Sequence, residues 1–186
     1  MSEIAVIVLA AGTSSRAGSV NKLLSSYKDK PMVAHVVEAA TRLSGCPVYV
    51  VVGHQADKVR AALSRFDLNF IENPDFDQGM STSLIRGIKA LPPSITGALI
   101  CLGDMPRIEV QHLQQLISVC TGADSLCVPM YQGKQGNPVL WGRDYFDDIL
   151  TLDGDVGAKS LIKKHTDIVK CVEMPDDAVL FDIDHP

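Results

Sequence analysis

Residues 4–10 read Ile-Ala-Val-Ile-Val-Leu-Ala, without a polar side chain among them. A strand with one wet face alternates apolar and polar residues, so a run that does not alternate has to be covered on both sides. This requirement puts the run inside a sheet sandwiched between two layers of helix. The run then breaks into Ala11-Gly12-Thr13-Ser14-Ser15-Arg16, a turn of small residues ending on a cation, with Lys22 following.

The same grammar recurs along the chain. Buried strands are predicted at 47–53 (PVYVVVG), 97–104 (GALICLGD) and 125–131 (SLCVPMY), and a short one at 68–71. Between them the apolar spacing predicts helices over 31–43, with Pro31 in the first turn, over 55–65, over 79–91, ended by Pro92-Pro93, and over 109–120. Residues 135–141 read as extended, 143–150 and 155–165 as short helices, and 168–173 and 179–183 as late strands. Strands alternating with helices specify an α/β chain with a mostly parallel sheet and helices on both faces. With 186 residues, 46% of them hydrophobic, one domain spanning 1–186 is expected.

Composition narrows the function classes. A net charge of −5 argues against a broad nucleic-acid surface, so an anion has to be caught by a local device. No apolar run is long enough for a membrane span, and Glu3 before the first apolar run argues against a signal peptide. The five cysteines, Cys46, Cys101, Cys120, Cys127 and Cys171, form no CxxC pair and read as reduced thiols of a cytoplasmic protein.

In an open α/β sheet, ligands sit beyond the carboxyl ends of the strands. The stretch after the first strand offers backbone N–H groups and a close approach at Gly12, with Arg16 and Lys22 as phosphate partners. It is neither GxGxxG nor GxxxxGK[ST], which disfavours a nicotinamide-dependent oxidoreductase. The stretch Gly103-Asp104-Met105-Pro106 sets a carboxylate at the end of a central strand, a donor suited to Mg²⁺. Asp182 and Asp184 supply a second candidate carboxylate. Taken singly, each stretch is equally an ordinary βα turn or a capping residue.

Taken together they are similar to a known family. Leu9-Ala10-Ala11-Gly12…Arg16…Lys22-Leu23-Leu24, Gly79-Met80-Ser81…Ser83-Leu84, Gly103-Asp104-Met105-Pro106, Gly136-Asn137-Pro138-Val139-Leu140, Gly154-Asp155…Gly157-Ala158 and Asp182-Ile183-Asp184 follow the order of the molybdenum cofactor cytidylyltransferases, within the MobA-like nucleotidyltransferases. The chain departs from that pattern at Ala17, where the family has Met, at Asn137, where it has His, and by one extra residue between Arg16 and Lys22.

The resemblance implies a Rossmann-like three-layer α/β/α sandwich of the nucleotide-diphospho-sugar transferase type. It also implies transfer of CMP from CTP to the terminal phosphate of molybdopterin/molybdenum cofactor, with release of pyrophosphate. Arg16, Lys22 and Asp104 would be catalytic. Leu9, Ala10, Ala11, Gly12, Gly79, Ser83 and Gly103 would join Arg16 and Lys22 around the nucleotide. Asp104 and Asp184 would bind Mg²⁺, and Gly136, Asn137, Pro138, Asp155 and Lys159 would face the acceptor. Asp155 reads as the N-cap of the 155–165 helix. An apo-molybdoenzyme or its chaperone would be a further partner. Related guanylyltransferases read Leu-Ala-Gly-Gly at residues 9–12, so the Ala11 methyl is expected to favour a pyrimidine. The competing expectations are a same-fold transferase acting on a sugar or polyol phosphate, and a non-catalytic molybdenum cofactor carrier.

Overall fold

In the computed structural model, residues 3–13, 21–120, 122–154 and 157–183 are described. The strands are β1 (Glu3–Ala10), β2 (Ser26–Tyr27), β3 (Lys30–Pro31), β4 (Val48–Val52), β5 (Asn69–Glu72), β6 (Ile95–Leu102), β7 (Leu126–Tyr131), β8 (Lys134–Gln135), β9 (Val139–Gly142) and β10 (Lys170–Glu173). The α-helices are α1 (Met32–Thr41), α2 (Ala56–Ala62), α3 (Met80–Lys89), α4 (Val110–Val119), α5 (Phe146–Leu150) and α6 (Lys159–Lys164). No helix among the described residues is long and apolar enough to cross a membrane.

The main sheet runs β10-β7-β9-β6-β1-β4-β5, with β8 folded onto β7. β1 is central, parallel to β4 on one side and β6 on the other. Its side chains explain the unbroken apolar run. Val6, Val8 and Ala10 pack into a cluster with α1, α2 and α4. Ala5, Ile7 and Leu9 pack into a second cluster with α3, α5 and α6. Both parities are therefore in a core, and each fully buried Val, Leu or Ile contributes about 1.5–3 kcal/mol. The result is the three-layer α/β/α sandwich.

β9 and the short β8 depart from the parallel order, β9 being antiparallel to both β6 and β7 and β8 to β7. Chain length dictates this. β7 turns at Gln132-Gly133, both with positive φ, into β8, and only 136–138 separates β8 from β9. A parallel crossover needs a dozen or more residues, so this connection has to return antiparallel.

Three sequence expectations change. The predicted strand at 179–183 is a 3₁₀ turn over Asp177–Leu180 followed by irregular chain. Asp176 caps the turn by accepting the Ala178 N–H at 2.8 Å, and the Val179 carbonyl accepts from Asn137 N–H, so the segment joins no ladder. The helix expected over 155–165 is α6 alone, with Ala158 at the N-cap. Cys120 and Cys127 are not separate thiols: they pair as a disulfide between the end of α4 and β7, their Cα atoms 6.5 Å apart. Their pairing follows from the tight return of α4 into β7, which no Cys spacing motif announces. Cys46, Cys101 and Cys171 are free thiols, as expected.

Acid stability has a definite sign. His35 Nε2 lies 2.6 Å from the Tyr27 carbonyl, and burial lowers its pKa from 6.5. Below that value the unfolded chain binds a proton that the folded chain resists, so stability falls as pH drops. Hydrogen bonds from Lys164 and His165 hold the Asp148 carboxyl below 3.8, adding a second loss at lower pH. Tm is expected to decline as pH passes below 6.5. His35→Gln should remove the first decline in a pH series of thermal melts.

Candidate functional site

The path of the chain creates a crevice. From β1 it moves outward through β4 to β5, then returns to lay β6 on the other side of β1. The carboxyl ends of β1 and β6 therefore flank a topological switch point, where open α/β sheets bind ligands. Leu9 pairs with Leu102, so residues 11–12 and 103–104 leave the sheet side by side. The Gly103 N–H donates to the Leu9 carbonyl at 3.0 Å, and a Cβ on Gly103 would stand 2.9 Å from that same oxygen. Glycine is what lets the two strand ends approach this closely.

At the crevice Lys22 Nζ donates to Asp104 Oδ2 at 2.7 Å. Both side chains are mostly covered, 16% and 20% exposed, so the pair is shielded compared with a surface ion pair. Lys22 opens a 3₁₀ turn over Lys22–Leu24 that is fixed by Asn21. The Asn21 Oδ1 accepts the Leu23 N–H at 3.1 Å, and its Nδ2 donates to the His54 carbonyl at 3.3 Å. The His54 N–H donates to the Ala11 carbonyl. Asn21 thus ties the Lys22 turn to the ends of β1 and β4. Its polarity next to a lysine gave no hint of this beyond its preference for helix caps.

Asp104 Oδ1 is buried and has no hydrogen-bond partner among the described residues. An anionic oxygen left unpaired in a buried place is costly, and coordination of a hard cation is one way to relieve it. The residues present therefore fit a divalent metal. Ile183 N–H donates to the Asp104 carbonyl at 3.1 Å, which brings the chain to Asp104 one residue before Asp184. Asp182 is exposed. Asp184, Arg16 and Asp155 lie outside the described residues.

The start of α3 carries the next candidates. Gly79 has φ +112° and ψ 170°, a conformation essentially restricted to glycine. Ser83, 6% exposed, accepts from Asn73 Nδ2 at 3.0 Å. Asn73 is fully buried and also donates to Thr82 Oγ1, while its Oδ1 accepts the Asp75 N–H. Asn73 was not singled out from the sequence; the Asn-Pro turn it opens was its one local signal. Gly79→Ala is expected to cost about 1–3 kcal/mol through strain. Urea denaturation measures this.

The remaining candidates divide between two places. Gly136, Asn137 and Pro138 lead into β9, and the pairing of Ile100 with Val139 sets them beside the end of β6. The Asn137 N–H donates to the Val179 carbonyl at 2.9 Å. The other stretch joins α3: the Gly154 carbonyl accepts both Ser81 N–H and Ser81 Oγ. α6 starts at Lys159, which is exposed, so Asp155 is not its N-cap, a correction to the sequence expectation. Ala10 and Ala11 are buried, Ala11 within the second core cluster, and Gly12 is the exposed residue of the turn.

A separate cavity of about 420 Å³ opens behind the 106–110 loop, between α1 and the 3₁₀ turn at 177–180. Several of its charged walls are already engaged: Glu38 pairs with Lys30 and Arg42 across the lining, and Arg107 pairs with Asp177 beside it.

Residues 6–169 match the MobA-like NTP transferase domain. The chain belongs to that family. Among curated proteins, this MobA-like chain is 34% identical over 144 residues to the bifunctional protein GlmU of Pseudomonas syringae pv. tomato. The match covers 77% of this chain and 30% of GlmU, so the chain spans about a third of that relative's length. Among solved structures it is similar to a nucleotidyl transferase from Methanothermobacter thermautotroptrophicus (TM-score 0.83, 25% identity, covering 98% of this chain and 92% of that one). It is also similar to Rv0371C of Mycobacterium tuberculosis H37Rv in complex with manganese (TM-score 0.77, 27% identity, covering 93% and 89%).

Proposed function

We propose that this MobA-like chain is a nucleotidyltransferase that moves CMP from CTP to the terminal phosphate of molybdenum cofactor. The observation that carries the reading is the Lys22–Asp104 pair at the β1/β6 crevice, with Asp104 Oδ1 buried and unpartnered. Neither a carrier nor a structural ion pair has use for a half-satisfied carboxylate at a ligand crevice. Family membership and the manganese-containing relative support the metal and the phosphate chemistry.

An oxygen of the acceptor phosphate attacks the α-phosphorus of CTP, forming the new P–O bond. The bond from that phosphorus to the bridging oxygen breaks, and pyrophosphate leaves with the electron pair. The acceptor is already an anionic nucleophile, so no Ser–His pair is required. The protein's task is to bring anions together in line and neutralise them. Lys22 and Arg16 take the triphosphate oxygens. Asp104 and Asp184 hold Mg²⁺, which when bound offsets charge on the transferring phosphate. The turn at Leu9, Ala10, Ala11 and Gly12, with Gly79, Ser83 and Gly103, surrounds the nucleoside. Gly136, Asn137, Pro138, Asp155 and Lys159 serve the acceptor. The assignment treats residues 1–186 as one catalytic domain, with delivery to an apo-molybdoenzyme or its chaperone as the step after transfer.

Pyrophosphate release tests this, measured with CTP, GTP, ATP and UTP, each with molybdenum cofactor, with a sugar phosphate, with a polyol phosphate and without acceptor. Release with CTP that depends on molybdenum cofactor supports the reading. CTP-dependent release with a sugar or polyol phosphate alone retains the transferase and replaces the acceptor. Tight uptake of molybdenum cofactor with no release for any nucleotide would favour a carrier and overturn the proposal.

A further inference from the structure

Arg107 lies just past Asp104, where the chain passes from β6 toward α4, and it holds the 177–183 segment at two points. Its Nη1 and Nη2 donate to the two carboxylate oxygens of Asp177, Nη1 to Oδ2 at 3.3 Å. Its guanidinium also lies over the Phe181 ring, 4.7 Å from the centroid. The two contacts straddle the 3₁₀ turn at Asp177–Leu180. Beyond them, Ile183 N–H reaches back to the Asp104 carbonyl at 3.1 Å. The 104–107 turn and the 177–183 segment are thus fastened to each other at both ends.

The segment needs such a fastening because it belongs to no strand. Its other described ties are the contact of Asp176 with His112, the Val179 carbonyl accepting from Asn137, the buried side chains of Ala178 and Val179, and Leu180 packed against the first core cluster. All of these hold its first half. Arg107, through Phe181, is the side chain that carries the hold on toward Ile183. The Arg107–Asp177 pair is 34% and 50% exposed, so its value as an ion pair is small. Its value is geometric: a planar fork fixes two oxygens in orientation while its face covers an aromatic ring, which an ammonium cannot do.

We infer that Arg107 is a positioning residue that clamps the 177–183 segment against the Asp104 turn and thereby sets how firmly the Asp104 carboxylate holds a divalent cation. The inference rests on the metal assignment made under Proposed function. It predicts a split: loss of Arg107 weakens metal uptake and leaves metal-free CTP binding unchanged, because the side-chain contacts of Arg107 among the described residues are with Asp177 and Phe181, away from residues 9–12 and the start of α3.

The test uses the full chain, with Mn²⁺ uptake followed by electron paramagnetic resonance and hydrogen exchange followed at the Ile183 amide. In Arg107→Ala, Mn²⁺ affinity is expected to fall about tenfold, the scale of lost outer support around a metal ligand. Exchange at Ile183 should accelerate about tenfold as local opening becomes easier. Arg107→Lys should recover part of both, since it restores the charge opposite Asp177 and not the fork. Unchanged Mn²⁺ affinity in a folded Arg107→Ala variant overturns the inference, whether or not its Tm falls. If the wild-type chain takes up no Mn²⁺, the metal assignment fails. Exchange at Ile183 then decides the clamp by itself: faster exchange in the variant upholds it and unchanged exchange overturns it.

Discussion

Asp104→Asn is expected to fold and to lose at least about 100-fold in turnover, which corresponds to roughly 3 kcal/mol of lost electrostatic stabilisation. The substitution keeps the shape and replaces an anion with an amide. The Oδ1 position is buried without a partner among the described residues, so the change there is from the oxygen proposed to hold the metal to a neutral group. Oδ2 meets Lys22 Nζ at 2.7 Å, and an amide oxygen accepts that bond with less than the strength of a charged one. A circular dichroism spectrum and thermal melt check folding, and pyrophosphate release with CTP gives turnover. Near wild-type turnover in a folded variant would remove Asp104 from the chemistry and leave the pair with Lys22 as a structural contact.

A large stability effect is expected at Gly136. A Cβ there would stand 2.1 Å from the Val179 carbonyl oxygen and 2.7 Å from its carbon, both backbone atoms that no side-chain rotation can move. Either the turn before β9 or the 177–183 segment has to shift, and Gly136→Ala should cost about 3 kcal/mol, the upper part of the range for overpacking. Since the same segment donates to the Asp104 carbonyl, metal uptake should fall with it. Gly12→Ala is the control. Nothing lies within 4 Å of a Cβ at Gly12, so its effect should stay within about 0.5 kcal/mol, as for an ordinary surface substitution. Urea denaturation of both variants makes the comparison. An unperturbed Gly136→Ala would show that the turn has room to give.

Much of the crevice was legible because its parts sit at strand ends, and strand ends are marked locally. The apolar run of β1 stops at Ala11-Gly12, and that of β6 stops at Gly103-Asp104. The resemblance to the MobA-like pattern then set these stretches in one order. Arg16, Asp155 and Asp184 carry the same expectations and lie outside the described residues. Asn21 and Asn73 were not legible as site residues. Each acts by bridging backbone or hydroxyl groups of separate segments, and an asparagine in a turn looks the same whether or not it bridges.

The sequence by itself determined that β1 is interior, that helices cover both faces, and that a carboxylate and a lysine sit beyond the ends of the central strands. Hydrophobic burial imposes these features through patterns a few residues long, and such patterns survive in any one segment read alone. Only the tertiary structure decided the antiparallel course of β9, the pairing of Cys120 with Cys127, the 3₁₀ turn in place of a strand at 179–183, and the meeting of Arg107 with Asp177 and Phe181. The contacts of Arg107 join residues about seventy positions apart, and that of Lys22 with Asp104 spans 82. Their geometry comes from the stacking of strands that bring them together, and no local periodicity encodes it.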